Sequence, residues 1–600
     1  MPLNSKAVYS RPNPSFLPFA SRRSVVHSTN GIVTCTQPLA AAAGQRILQE
    51  GGNAALSATA ALNVTEPSST GIGGDMFCLF YNAEKRTVRA MNGSGRYPAN
   101  TTLEQIKTDL NVGPDQTEAI PNTSALAVTT PGAAAGWVDT VERFGSGKLS
   151  LEQILAPAIE LAEEGFPVSE LSSSFWRDHE HLLRTASPNF KELLKVDPSV
   201  KDGVRSPSAG EIMKIPTLAQ TFRALAADGK KGFYEGRVAD ELVKVVQDLG
   251  GYLSLNDLKR HAETGSQDVD AISLQFKGQE ICEKQTPGTD DGTNQGVKIW
   301  EHPPNGQGIV ALMALGILEE LENMGKIPTF TESQHNSTEY LHAIIESLRI
   351  AFADAAWWVT DPDIERVPSQ DLISKTYLVK RAELFSPVKA AHTLSHDSPA
   401  HNHCDTVYFA VTDREGNGMS FINSVYTEFG SAIVPKGCGF TLQNRGANFS
   451  LIAGHPNVVA PGKRPYHTII PAMITNSSDG SLHSVYGVMG GFMQPQGHVQ
   501  VLLNILAFNH HPQAALDAPR ICIAADKLID GKPVVYVEEG ISVEVIEGLK
   551  KLGHRIEVLT GWKRGMFGRG QIIRCHYDEG TRVYSAGSDP RGDGLAIPLL

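Results

Sequence analysis

Asp405–Tyr426 reads DTVYFAVTDREGNGMSFINSVY. Val407, Phe409 and Val411 fall on one face, and Thr406, Tyr408, Ala410 and Thr412 on the other, which is the two-residue period of a β-strand. DREGNG supplies turn residues, and MSFINSVY returns as the partner strand. The stretch is a buried hairpin, and Thr406 stands at its open end. Immediately before it runs SPVKAAHTLSHDSPAHNHCD, residues 386–405, a polar linker rich in Pro, His and Ser. A threonine at a strand start is ordinarily a β-branched residue in a favourable place. Cleavage between Asp405 and Thr406 would give it a second role. An α-amine titrates near pH 7.7–8 in model peptides, so a freed amine on Thr406 serves as general base for its own hydroxyl.

Working outward, helix and strand patterns alternate from about residue 31. PLAAAAGQRILQEGGN opens with Pro and stops at Gly-Gly, and AALSATAALNVTEPS reads as a second helix of small residues. DMFCLFYNAEKRTVRAMNGSG predicts a hairpin, residues 133–260 are mostly helical, and VDAISLQFKGQEICEK returns to strands. A long helical region follows from Gly306 to Ala353, and DLISKTYLVKRAELF predicts one more helix. Beyond the linker come short strands and Gly turns over 406–475, then a Gly-rich loop and a helix over 487–508, starting near Gln496. Such runs of strands and helices predict an α/β (α+β) fold of sheets packed between helix layers. The shift at 386–405 is the clearest boundary, yet both sides read alike and are expected to form one folded unit.

The bulk numbers exclude several classes. A net charge of −12 over 600 residues, with no long Lys/Arg run, argues against nucleic acid as a partner. Seven scattered cysteines make no disulfide framework and fit a reducing compartment. Residues 1–30 are basic and Ser/Pro-rich without the apolar core of a signal peptide, and read as a disordered arm, with a targeting peptide as the alternative. No apolar stretch is long enough to span a bilayer. The expectation is a cytoplasmic protein with no membrane partner. His401, His403 and Cys404 are of metal-ligating type, but a tight cluster in a loose linker lacks a fourth ligand and a scaffold. No metal and no cofactor are expected.

Nucleophilic attack needs an oxyanion hole, and YGVMGGFMQPQGH offers Gly490-Gly491, whose N–H groups no side chain would screen. With PLAAAAGQRILQEGGNA, EPSSTGIGGDMF, HAIIESLRIAFADA, FGSAIV, APGKRP and AGSDPRGDG, the chain resembles the γ-glutamyltransferase (γ-glutamyltranspeptidase) family of N-terminal nucleophile hydrolases from about Gly31 onward. It is similar to that family's glutathione hydrolase-like branch. The resemblance implies a four-layer αββα sandwich built from a self-cleaved precursor. It implies a large subunit up to 405 and a small catalytic subunit, 406–600, that stay associated. It carries over Thr406 as nucleophile, Ser424 as a supporting hydroxyl and Gly490-Gly491 as oxyanion hole.

The pocket departs from the family's pattern. Anchored on Pro98, the chain has SGRYP, so Arg96 is displaced by two residues from the usual carboxylate-binding Arg. Asn448 stands where the family often has an acid for the substrate amino group, and Arg445 adds positive charge nearby. His467-Thr468 replaces a Ser-Ser pair after KRP. Arg96, Tyr426, Asn444, Arg445, Asn448, His467 and Thr468 form the expected substrate-binding set. Phe449–Lys463 is shorter than a pocket lid, which predicts an open site. The function these features imply is a self-processing threonine hydrolase or transferase cleaving γ-glutamyl amides such as glutathione. The acyl group passes to water or to an amino acid or peptide. An acylase or amidohydrolase on a non-glutamyl amide is the alternative, and an uncleaved binding homologue is a third.

Overall fold

The computed structural model describes residues 23–52, 54–113, 119–280, 296–391, 406–529 and 532–600. Two seven-stranded sheets face each other. The strands of both are β1 (Val26–Ser28), β2 (Ile32–Cys35), β3 (Asp75–Asn82), β4 (Thr87–Gly93), β5 (Gln267–Val269), β6 (Ile272–Phe276), β7 (Val297–Glu301), β8 (Val407–Thr412), β9 (Gly418–Ser424), β10 (Ala472–Asn476), β11 (Leu482–Met489), β12 (Arg569–Asp578), β13 (Thr581–Ser588) and β14 (Leu595–Pro598). One sheet runs β1-β13-β12-β11-β10-β7-β6 and the other β14-β2-β8-β9-β3-β4-β5. Each sheet mixes strands from before and after residue 405, so the two sides of the linker make one folded unit.

The hairpin pattern shows why the layers stack as they do. Val407, Phe409 and Val411 pack outward onto a cluster that includes α1 (Pro38–Gln49) and α2 (Ala54–Thr65). Tyr408 and Ala410 point inward to Phe77, Val485 and Tyr584 between the sheets. On the far side, the sheet without the hairpin is covered by α3 (Gly308–Asn323), α4 (Thr338–Trp358) and α5 (Met493–Leu506). Four layers result, helix–sheet–sheet–helix. Both faces of β8 are therefore apolar-lined, and every one of its residues is buried. Phe409 stands opposite Phe421 across the hairpin, with ring centroids 4.9 Å apart. Such a stacked pair adds about 0.5–1.5 kcal/mol beyond its buried area.

Some expectations are corrected. Val26–Ser28 is an edge strand paired with β13, so the N-terminal arm expected over 1–30 does not reach residue 30. Residues 425–471, expected as short strands and turns, hold no strand longer than an isolated bridge. Positive φ angles at Tyr426, Phe429 and Ala432 break any extended run there. The helix expected over DLISKTYLVKRAELF is two, Ser369–Leu372 and Lys375–Ala382, because the Ser374 hydroxyl caps the second by accepting from Tyr377 N. Helix α5 starts at Met493, earlier than expected, with only Phe492 between it and the Gly pair. Among the described residues no helix is long and apolar enough to cross a membrane.

Candidate active site

Register places the central groups. β8 pairs with β9 so that Val407 faces Asn423, and β9 pairs with β3 so that Ser424 faces Asp75. One step beyond Val407, Thr406 lies beside Ser424, and its Oγ1 donates to Ser424 Oγ at 3.1 Å. Ser424 Oγ also accepts from Tyr426 N at 2.8 Å and from an Arg445 guanidinium N–H at 3.2 Å. Tyr426 holds a φ of +86°, a conformation costing on the order of 1–3 kcal/mol for a non-Gly residue. Its ring lies 4.4 Å beneath the Arg445 guanidinium, a cation–π geometry.

From Arg445 the contacts continue toward the Gly pair. Arg445 donates to Thr468 Oγ1 at 2.7 Å. The Gln307 carboxamide donates to the carbonyl oxygens of both Thr468 (2.7 Å) and Gly491 (2.9 Å). Tyr466 OH donates to Gln307 Oε1 at 3.0 Å and fixes the amide's orientation. Gly490 and Gly491 have φ of +131° and +58°, values that favour glycine and turn the peptide planes at the head of α5. Thr406, Ser424, Arg445, Thr468, Gln307 and Gly491 thus form one connected chain. The open site expected from the short 449–463 segment is not what the structure shows. Thr406, Ser424, Arg445 and Thr468 are fully buried.

Two further groups set the electrostatics. His467 Nε2 contacts Asp75 Oδ2 at 3.0 Å, and both residues are fully buried. Burial first, and then the charge of Arg445, push the His467 pKa down to about 3, so its imidazole is neutral. Burial alone would raise Asp75, but the His467 hydrogen bond, the nearby positive charge and the Gly95 N–H hold its carboxyl below the ordinary value. The pair is a neutral histidine donating to a carboxylate.

The remaining expected residues bind elsewhere. Asn444 Nδ2 donates to Thr427 Oγ1 (2.6 Å) and to Asn122 O (3.0 Å), so it braces the loop. Asn448 Nδ2 donates to Tyr466 O at 3.1 Å. Arg96, expected as a substrate ligand, is held by its own chain, donating to Asp361 at 3.0 Å and to Asp363 at 2.6 Å. His401, His403, Cys404 and Asp405 lie outside the described residues. Sequence reasoning missed Gln307, within PPNGQG, and Asp75, which GIGGDMF presents only as the start of a strand.

A different cluster has metal-ligating types. His342, Glu346 and His554 are buried with ligand atoms within 4.8 Å of one another. Their polar atoms have protein partners: Glu346 accepts from Arg349 (2.7 Å) and Ala391 N (2.9 Å), and His342 contacts His554 (2.8 Å) and Ser386 O (2.8 Å). A cleft of about 730 Å³ lined by Phe80, Phe144, Asn417 and Leu600 sits at the turn end of the hairpin. The length of β8 separates it from Thr406 by roughly 20 Å.

Two facing sheets between helix layers, with a threonine hydroxyl at the head of a central strand, define a hydrolase of the N-terminal nucleophile architecture. The gamma-glutamyltranspeptidase family model matches residues 40–599. The glutathione hydrolase-like YwrD proenzyme of Bacillus subtilis is 33% identical over 96% of this chain and 99% of its own. The oxamate amidohydrolase proenzyme of Klebsiella pneumoniae is 30% identical over 95% of this chain and 98% of its own. A crystal structure of cephalosporin acylase from Bacillus halodurans superposes with a TM-score of 0.82 at 36% identity, covering 98% of this chain and 99% of that one. The chain belongs to the gamma-glutamyltranspeptidase family and is an enzyme of the hydrolase or transferase type.

Proposed function

We propose that the protein cleaves itself before Thr406 and then hydrolyses amides whose acyl part carries a free carboxylate. The observation that carries this reading is the shared oxygen of Ser424, which the Thr406 hydroxyl and the Arg445 guanidinium both contact. An acyl carbon attacked by Thr406 Oγ1 would lie within a few bonds of a buried positive charge. That position suits the carboxylate of a short dicarboxylic half-amide.

In the reaction, the neutral α-amine of Thr406 takes the hydroxyl proton as Oγ1 attacks the amide carbon. The oxyanion forms near the Gly490-Gly491 turn, the ammonium returns its proton to the leaving amine, and an ester on Thr406 remains. Water, activated by the same amine, attacks the ester and releases the acid; an amine acceptor in place of water gives transfer. The two pieces, 1–405 and 406–600, remain together in this reading because both sheets draw strands from each. Among the described residues Cys35, Cys78, Cys438, Cys522 and Cys575 form no disulfide, which fits the reducing compartment of a cytoplasmic placement.

γ-Glutamyl compounds such as glutathione are the second reading, favoured by the likeness to the glutathione hydrolase-like relative. They carry a carboxylate for Arg445 and also an ammonium, for which Asn448 supplies no charge. The test is a panel of oxamate, succinamate, glutaramate, glutathione and neutral amides of matched length, read by release of ammonia or glutamate. Faster turnover of the carboxylate-bearing amides supports the proposal, and glutathione outrunning the half-amides favours the second reading. Equal rates on neutral amides would remove Arg445 from substrate recognition.

A further inference from the structure

The mechanism above makes no use of Asp75, yet this buried carboxylate binds four separate segments of chain around the nucleophile. Its Oδ1 accepts from Gly95 N (2.9 Å), Gly132 N (3.0 Å) and Gln443 Nε2 (2.9 Å), and its Oδ2 from His467 Nε2 (3.0 Å). Gly95 adjoins Arg96, Gln443 lies two residues before Arg445, and His467 precedes Thr468. Ser424 pairs with Asp75 directly across the strands.

The cradle is built for close approach. A Cβ on Gly132 would come within 2.8 Å of Asp75 Oδ1, and one on Gly95 would overlap the Thr130 carbonyl oxygen at 1.5 Å. Three N–H groups converging on one oxygen and a fourth on the other call for an ionised carboxylate, because a protonated acid would set its own O–H against one of the four donors. Neutral His467 completes the arrangement. With its Nε2–H on Asp75, its Nδ1 lone pair accepts from Ile469 N at 3.3 Å.

We propose that Asp75 is the positioning residue of this site, aligning Arg445 through Gln443 and Thr468 through His467, and holding His467 in the Nε2–H tautomer. It touches neither substrate nor nucleophile in this role. Its kinetic consequence rests on the function proposed above, whereas its tautomeric consequence does not.

Asp75→Asn tests both. An asparagine that keeps its oxygen toward the three N–H donors turns its NH₂ against His467. The imidazole must then move its proton to Nδ1, where it faces the Ile469 N–H. Imidazole ¹⁵N–¹H correlation spectra are expected to show the Nε2–H tautomer for His467 in the wild type and its loss in Asp75→Asn. On a carboxylate-bearing amide, kcat/KM should fall about 100-fold, the usual scale for a misplacement of about 1 Å. The preference for that amide over its neutral analogue should fall with it, which a merely destabilised enzyme would not show.

Should Asp75→Asn fail to fold, His467→Gln and His467→Leu carry the test. Gln keeps an N–H donor for Asp75 and should retain most of the preference, and Leu should lose it. An unchanged tautomer with an unchanged preference in Asp75→Asn, or equal behaviour of the Gln and Leu variants, would overturn the proposal. A wild type that turns over no amide would count against the function, leaving the tautomer to judge Asp75.

Discussion

Two buried groups in this protein pair histidine with a carboxylate. At the end of the hairpin, Asp75 and His467 sit beneath Ser424, Arg445 and Thr406. Among the helices, Glu346, His342 and His554 hold Ser386 and Ala391, the beginning of the segment that leads toward the proposed cut. Burial and histidine chemistry are alike, and His467 and His554 are both pushed down to about 3, by burial first. The difference lies in the neighbours. The first group ends on two hydroxyls and a guanidinium, and the second on an arginine and backbone atoms that complete its hydrogen bonds. Perturbed histidines therefore do not mark the site; the hydroxyl at the strand head does.

The comparison can be broken at several points. The largest effect is expected from Thr406→Ala, which should leave the chain intact on a denaturing gel and reduce turnover to background. On the other side, Glu346→Ala strands the nearly buried Arg349 charge and should cost about 3–5 kcal/mol of stability, read by urea denaturation. Turnover per folded molecule should stay unchanged. A loss of turnover there would show that the two groups are coupled. Arg445→Gln removes charged hydrogen bonds worth about 1.5–3 kcal/mol each. It should raise KM for carboxylate-bearing amides by roughly one to two powers of ten and leave neutral amides alone. A uniform drop on both would make Arg445 a structural residue.

A pH effect is shared by the two groups. His467 and His554 have folded values near 3 against 6.5 unfolded, so between those limits the unfolded chain binds more protons. Stability is complete above about pH 6.5 and declines as pH falls toward 3. The urea midpoint should drop between pH 7 and pH 5, and His554→Gln should flatten that slope without altering the pH profile of turnover.

The sequence made the hairpin legible because strand period and turn chemistry are local, and a fixed turn length brings Thr406 beside Ser424. Runs of strand and helix patterns pointed to sheets between helix layers, and the four-layer stacking was what the family resemblance implied. Other features depend on distant partners. Asp75 meets His467 across 392 residues, so it read as an ordinary strand start. Arg96 looked like a ligand because Asp361 and Asp363 lie more than 260 residues away. Residues 425–471 read as strands because burial demands apolar side chains there, although the backbone repeatedly adopts positive φ. The pocket residues could be named from their departures, but their partners required the fold.

The central claim is that Thr406 becomes an N-terminus. Denaturing electrophoresis of the freshly purified protein, with N-terminal sequencing of the smaller band, tests it most directly. The account predicts a 405-residue piece and the remaining 195 of the 600 residues, the smaller beginning Thr-Val-Tyr-Phe. An intact chain that nevertheless hydrolyses amides, or an active smaller piece beginning at any other residue, would contradict it.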